Sequence, residues 1–122
     1  MSSPLGEFLR HAPAGKLRIL GTSGAKRSRF TPNVPTYAEQ GYKNMTYSEW
    51  YGFYLPARAS SDTVARLNAA LREALKAPEV IESLHSFGLE PTPTAPAELG
   101  ALLKTDTERW GPVVKTIGFT AD

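Results

Sequence analysis

The sequence predicts an α/β fold, with two strands in its first half and helices in its second half. One observation is an apolar-centred run over residues 16–22 that a Ser-Gly pair ends. Another is a run of bulky aromatic residues over 46–54 that Pro56 ends. The third is the helical spacing of apolar side chains that starts beyond Ser61 and continues to Ile117. Together these patterns favour short sheet strands followed by helices.

Short helices are predicted on either side of the first strand. Residues 4–12 form the first, because Pro4 suits a first helical position and the apolar side chains that follow share one helical face. The second begins at Thr36, and Glu39 three residues later completes the reciprocal pair of a capping box. Gly41 supplies the left-handed position that closes such a helix.

Three longer helices are predicted in the second half, over residues 62–76, 78–87 and 96–117. Ser61 can cap the first of them, and each carries apolar side chains on one face. Pro112 has no backbone N–H to donate, so we expect the last helix to kink or restart there. Trp110 on the same helix is predicted to lie in the core.

Composition excludes several classes of function. The 122 residues make at most one domain, and the formal net charge of +2 gives no case for a nucleic-acid partner. The basic run Lys26–Arg29 is either a solvated loop or a loop that contacts an anion. The absence of cysteine excludes a disulfide framework, a thiolate zinc site and cysteine catalysis. No apolar run approaches the roughly 20 residues that cross a bilayer.

The sequence contains no set of residues that indicates an enzyme, a metal site or a cofactor. His11 and His85 are far apart and have no metal-ligating partner at helical spacing. No serine lies in a nucleophile elbow, no carboxylate pair shares a helical face, and no phosphate-binding glycine motif is present. We therefore expect no catalytic residue and no bound cofactor.

Two segments are candidates for ligand binding. Thr22 and Ser23 follow the first strand, and in open α/β sheets ligands bind beyond the carboxyl ends of strands. The alternative is an ordinary turn that ends the strand. Ser48, Glu49 and Trp50 place polar groups beside large aromatic rings, which could line a cleft or could be core packing with polar edges.

Several segments, taken together, resemble the Bug family of receptors for tripartite tricarboxylate transporters. The most specific are Val34-Pro35-Thr36 followed by Glu39 and Gly41, and the later Arg109-Trp110-Gly111. The order and spacing match the carboxyl-terminal part of the family. The further matching segments are 14–20, 26–33, 49–57, 64–68, 77–80 and 112–115. Ala95 departs from the pattern, since a threonine or serine cap is usual there.

The resemblance implies part of a two-lobed, periplasmic-binding-protein-like fold. Residues 1–46 would belong to the second, inner lobe, 47–57 would be a crossing strand or hinge, and 58–122 would form helices that pack on the first lobe. The family's first glycine-rich loop, which contacts the ligand carboxylate, would lie upstream of this truncated piece.

The resemblance also implies a function. The parent receptor would capture a small carboxylate-bearing or amino-acid-like solute in the periplasm and deliver it to membrane permease subunits. The amino terminus here has neither the basic start nor the apolar centre of a signal peptide, so a secreted parent would carry that segment upstream.

Two other classes of function stay open at this point. A small non-catalytic interaction or assembly domain would associate through exposed apolar surface, with the aromatic residues of 47–55 as its contact. An enzyme ranks lowest. If the chain is part of a receptor, it is also expected to self-associate, because it lacks the first lobe. Backbone groups without hydrogen-bond partners and exposed aromatic rings favour pairing with a second copy.

Overall fold

A computed structural model describes residues 2–12 and 14–120 of the chain. Within these residues the α-helices are α1 (Leu5–Leu9), α2 (Ser61–Ala74), α3 (Pro78–Ser86) and α4 (Pro96–Ile117), and a short 3-10 helix covers Lys43–Met45. Residues 1 and 13 of the predicted segment 1–46, and residues 121 and 122 of the predicted segment 58–122, lie outside the described residues.

The chain divides into two compact units. The first unit combines Met1–Tyr51 with Ala77–Pro91, and the second combines Gly52–Lys76 with Thr92–Asp122. The boundary between residues 51 and 52 falls inside the predicted crossing segment 47–57. The assignment of 1–46, 47–57 and 58–122 to lobes of a receptor stays a prediction.

The first unit is held together by a close approach of α1 to the end of α3. Gly6 is buried, and a methyl group there would overlap the backbone carbonyl of Phe87. Gly88 has φ +69°, the left-handed conformation that favours glycine after a helix, and it also lies against Gly6. The rings of His85 and Phe30 pack in a T-shaped arrangement, with 5.5 Å between the ring centroids. The two glycines therefore set the distance between these elements.

The second unit is built on the contact of α2 with α4. Asn68 of α2 donates a side-chain hydrogen bond of 2.9 Å to the Thr94 carbonyl just before α4. Ala95 at the cap position has no side-chain acceptor, but its N–H donates to the Glu98 carboxylate at 2.6 Å. In a capping box the carboxylate accepts from the backbone of the cap residue, and this hydrogen bond is present although alanine has no hydroxyl to make the reciprocal one.

Little of the chain is buried. In the described part, Gly6 and Thr36 are the buried residues, and no large apolar side chain is among them. Two stretches of the described chain carry exposed apolar side chains. We call Tyr51, Phe53 and Tyr54 the aromatic segment, and Trp110, Val113, Val114 and Ile117 the α4 stripe. Trp110, predicted to lie in the core, is exposed on this stripe.

The predicted strands are not found in the described residues. Neither 16–22 nor 46–54 forms a strand, and the isolated parallel bridge from Thr22 to Thr36 is the β pairing that the structure shows there. A strand needs a continuous partner to accept and donate its backbone hydrogen bonds. The aromatic, β-favouring composition of 46–54 is therefore not sufficient by itself.

The predicted long helices are confirmed, with corrections at their ends. The capping residue of α2 is Ser60 rather than Ser61, since its Oγ accepts from the Thr63 N–H at 3.2 Å. The predicted break in α4 is wrong, because the helix runs through Pro112 without interruption. An interior proline removes one N–H donor and crowds the carbonyl four residues earlier, and α4 accommodates both effects without ending.

The two short helices predicted in the first unit are smaller than expected. α1 covers Leu5–Leu9 instead of 4–12, and residues 36–40 form a turn rather than a helix. The capping pair of that turn nevertheless forms, and Gly41 has φ +97° as predicted for the closing position.

Candidate functional site

Thr22 and Ser23 lie where three segments of the first unit meet. The Thr22 N–H donates to the Pro35 carbonyl at 3.1 Å, and the Thr22 carbonyl accepts from the Tyr37 N–H at 2.8 Å. The Ser23 carbonyl accepts from the Tyr47 N–H at 2.9 Å. We call these residues, with Thr36 between Pro35 and Tyr37, the Thr22 junction.

The junction brings the two predicted candidate segments to one place. Because Tyr47 is bonded to Ser23, the run Ser48, Glu49 and Trp50 starts directly beside the Thr22–Ser23 pair. Ser48 and Glu49 are exposed and Trp50 is half-buried. All five predicted residues therefore belong to the first unit. Their role in binding stays a prediction.

The hydroxyl of Thr22 makes no hydrogen bond within the described chain. Its Oγ1 is buried and has no hydrogen-bond partner within the described chain, and the same holds for Thr31 Oγ1. A buried hydroxyl without a partner costs free energy that a ligand oxygen or a similar acceptor would recover. This is the feature of the junction that most directly suggests a ligand contact.

The Glu39 carboxylate holds the Thr36 part of the junction. Glu39 accepts from the Thr36 N–H at 2.7 Å, and the Glu39 N–H donates to Thr36 Oγ1 at 3.1 Å. Arg27 Nε donates to both Glu39 oxygens, at 2.9 and 3.0 Å, and Arg27 Nη1 donates to the Pro32 carbonyl at 3.3 Å. Thr36 itself is 2% exposed.

These contacts shift the ionisation of Glu39. The hydrogen bond from the Thr36 backbone, opposed by partial removal from water and reinforced by Arg27, holds the pKa of Glu39 below the ordinary value of 4.5. The ionised form is therefore the one that fits the folded turn.

A dependence of stability on pH follows from this direction. Since the folded pKa is the lower one, the contribution of Glu39 to stability is fully present above 4.5 and is lost as the pH falls through the folded value. We expect urea midpoints to fall more steeply in acid for the wild-type chain than for Glu39→Gln. Equal acid dependence of the two proteins would contradict this role of Glu39.

The capping pair was readable from the sequence, whereas Arg27 was not. Thr36 and Glu39 have the spacing of a capping box, but Arg27 lies twelve residues from Glu39 and appeared only as part of a basic loop. No periodicity links two loop residues at that separation, so the sequence carried no signal for this ion pair.

Two open grooves lie away from the predicted residues. One, of about 350 Å³, belongs to the first unit, and one, of about 710 Å³, belongs to the second. The first is lined by residues 12, 17–19 and 30–34, and the second by one face of α2 with Pro96. None of the five candidates lines either groove.

The described residues show neither a metal-binding cluster nor a membrane-spanning helix. Residues 2–12 and 14–120 contain no group of three or more His, Cys, Asp or Glu side chains placed to hold a metal ion. Among the helices so described, none has the length and apolar character that a membrane crossing requires.

Comparison with known proteins gives a consistent result. Residues 4–119 match the model of the tripartite tricarboxylate transporter family receptor. The chain is 35% identical over 102 residues to the UPF0065 protein in the tcbD-tcbE intergenic region of Pseudomonas sp. (strain P51), covering 83% of the chain and 30% of that protein. It is 31% identical over 110 residues to Protein BugT of Bordetella pertussis, covering 90% of the chain and 34% of BugT.

A third relative is shorter. The UPF0065 protein in the clcB-clcD intergenic region of Pseudomonas knackmussii is 32% identical over 102 residues, which cover 83% of the chain and 60% of that protein. The chain thus spans about a third of the first two relatives and three-fifths of the third.

Proposed function

The chain belongs to the tripartite tricarboxylate transporter receptor family, and from this premise we propose that it takes part in capturing a small carboxylate-bearing solute in the periplasm and delivering it to a membrane permease. The observation that carries the proposal at the level of residues is the hydroxyl of Thr22 at the Thr22 junction, which is buried and has no hydrogen-bond partner among residues 2–12 and 14–120. Ser23 is its neighbour at the same place.

Membership has consequences that hold for the family as a whole. Its members are periplasmic solute-binding receptors and not enzymes, and the family fold is of the periplasmic-binding-protein type. For this chain we propose that residues 1–46 belong to one lobe, 47–57 cross between lobes, and 58–122 pack on the other. In this proposal, 16–22 and 46–54 become strands when the rest of a receptor sheet supplies their hydrogen-bonding partners.

The chemistry of the junction suits a carboxylate. A carboxylate accepts hydrogen bonds from hydroxyl and backbone N–H donors, and such charge-assisted bonds are stronger than neutral ones. Thr22 and Ser23 supply hydroxyl donors, while Arg27 is already engaged by Glu39. Glu49, which is exposed, would pair with an ammonium group, and this accommodates an amino-acid-like solute as well as a simple carboxylate.

A thermal-shift screen of the 122-residue chain tests the proposal. The panel contains dicarboxylates, tricarboxylates and amino acids, with the methyl ester of each, which lacks the carboxylate charge, as the matched control. A ligand at 100 times its Kd stabilises the folded state by about 2.7 kcal/mol, which raises the melting temperature of a small domain by roughly 10 °C. We expect such a rise with at least one free acid and none with its ester.

Substitutions at the junction locate the effect. Thr22→Val removes the hydroxyl at nearly constant shape, and Ser23→Ala does the same for its neighbour. We expect the double variant to lose the shift. A shift that persists in the double variant would place the binding site elsewhere, and no shift with any free acid would contradict the proposal for this chain.

A second proposal concerns self-association of the chain. The aromatic segment and the α4 stripe are exposed, and a second copy could cover either of them. Family membership does not favour the alternative in which the protein is a small interaction or assembly domain. We propose that this receptor-family chain self-associates through its exposed apolar side chains.

A further inference from the structure

We propose that Glu39 is a positioning residue, whose carboxylate fastens Thr36 and thereby holds Thr22 and Ser23 in the geometry that the solute meets; this rests on the proposed function. Glu39 is not placed to touch a ligand itself, since its carboxylate oxygens are already engaged by Thr36 and Arg27.

The backbone hydrogen bonds show how Glu39 acts at a distance. Both bonds that hold Thr22 come from the immediate neighbours of Thr36, namely the Pro35 carbonyl and the Tyr37 N–H. Thr36 is in turn bonded to Glu39 through both its N–H and its hydroxyl. Fixing Thr36 therefore fixes the two contacts that define the position of Thr22.

The hydrogen bond from the Thr36 N–H to Glu39, rather than the ion pair with Arg27, is the contact that holds Thr36 in place. The side chains of Arg27 and Glu39 are 46% and 44% exposed, and ion pairs with that exposure contribute little to stability. The Thr36 N–H, by contrast, belongs to a residue that is 2% exposed, so losing its acceptor leaves a buried donor unsatisfied.

A second tether keeps the turn in place when Glu39 is changed. Gln40 Nε2 donates to the Leu20 carbonyl at 3.1 Å and to the Thr36 carbonyl at 3.4 Å. Both bonds are independent of the Glu39 carboxylate. Variants at Glu39 are therefore expected to fold, with a looser Thr22 junction.

Amide hydrogen exchange measured by NMR on the 122-residue chain tests the inference without any ligand. In Glu39→Ala we expect the Thr22 and Tyr37 amides to exchange about fivefold faster, the effect of losing one cap. Glu39→Gln should change these exchange rates by less than about twofold, because glutamine also serves in a capping box. The variant loses only the exposed ion pair with Arg27, which contributes little to stability. Arg27→Met should resemble Glu39→Gln.

Reference amides separate positioning from general stability. Ile81 and Leu89 donate helical and turn hydrogen bonds in the same unit, and their exchange should not change in Glu39→Ala. Glu98→Ala is the matched control, because it removes a capping carboxylate from the other unit. It should leave the Thr22 and Tyr37 amides unchanged.

Citrate affinity, measured by calorimetry, gives the functional half of the test. We expect about fivefold weaker binding in Glu39→Ala and wild-type affinity in Glu98→Ala. If the wild-type chain binds neither citrate nor any other acid of the panel, the proposed function fails, while the exchange data still decide the role of Glu39. Faster exchange at every amide of the first unit, or unchanged exchange at Thr22 and Tyr37, would overturn the inference.

Discussion

Replacing Gly6 with alanine is expected to destabilise the first unit by about 3 kcal/mol, at the upper end of the cost of overpacking. The added methyl group would overlap the Phe87 backbone carbonyl, and backbone cannot move aside as the end of a flexible side chain can. Gly88 lies on the other side of the same contact and is fixed by its left-handed conformation. Urea denaturation of the variant and the wild-type chain measures the effect.

Gly100→Ala is the matched control for this substitution. Gly100 lies inside α4, and apart from the backbone of α4 itself nothing in the described chain is within 4 Å of an added methyl group. Alanine is favoured over glycine in a helix interior by roughly 0.5–1 kcal/mol, so this variant should be more stable than wild type. If Gly6→Ala matched Gly100→Ala, the close approach of α1 to the end of α3 would be wrong.

The second large effect is expected in the association state of the chain. Phe53 and Tyr51 are 78% and 67% exposed, and the α4 stripe adds a row of apolar side chains at helical spacing. Each such side chain that becomes fully buried contributes about 1.5–3 kcal/mol. We expect sedimentation equilibrium at micromolar concentrations to show dimers or larger species.

Substitutions in the aromatic segment and in the α4 stripe identify the contact. Tyr51→Ser with Phe53→Ser weakens association if the aromatic segment forms it, and Val113→Ser with Ile117→Ser does so if the α4 stripe forms it. Tyr42→Ser is the control, because Tyr42 is comparably exposed and belongs to neither the aromatic segment nor the α4 stripe. A wild-type chain that sediments as a monomer throughout this range, and unfolds cooperatively, would contradict the expectation.

The helices were predictable because their signals are local. The apolar spacing of α2, α3 and α4 and the capping residues near their starts lie within each segment, and the observed bounds agree within about two residues. The uninterrupted course of α4 through Pro112 was not predictable, since a proline permits both a break and a continuous helix. The local sequence pattern thus predicted correctly that these segments are helices, but not whether α4 continues through Pro112.

The strands depend on partners, and this is where the sequence reasoning was weaker. An aromatic run such as 46–54 has the composition of a strand, yet a strand exists only where a second segment completes its hydrogen bonds. The burial of Trp110 was misjudged for a related reason: an apolar side chain at helical spacing indicates a face that can be buried, and the described chain leaves that face exposed.

The candidate site was predictable in its parts and not in its assembly. Thr22 and Ser23 were identified from their position after an apolar run, and Ser48, Glu49 and Trp50 from polar groups beside aromatic rings. The hydrogen bond from Tyr47 to Ser23 that joins the two groups is a contact between residues 24 apart in the chain. No spacing rule reaches that far.

An NMR titration of the chain with citrate determines whether the Thr22 junction binds a carboxylate-bearing solute. We expect saturable changes in chemical shift, concentrated at the amides of Thr22, Ser23 and Tyr47, and their loss in Thr22→Val with Ser23→Ala. Saturable changes that instead cluster on α2 and α4, or the absence of saturable changes with citrate and with every other acid of the panel, would contradict this expectation.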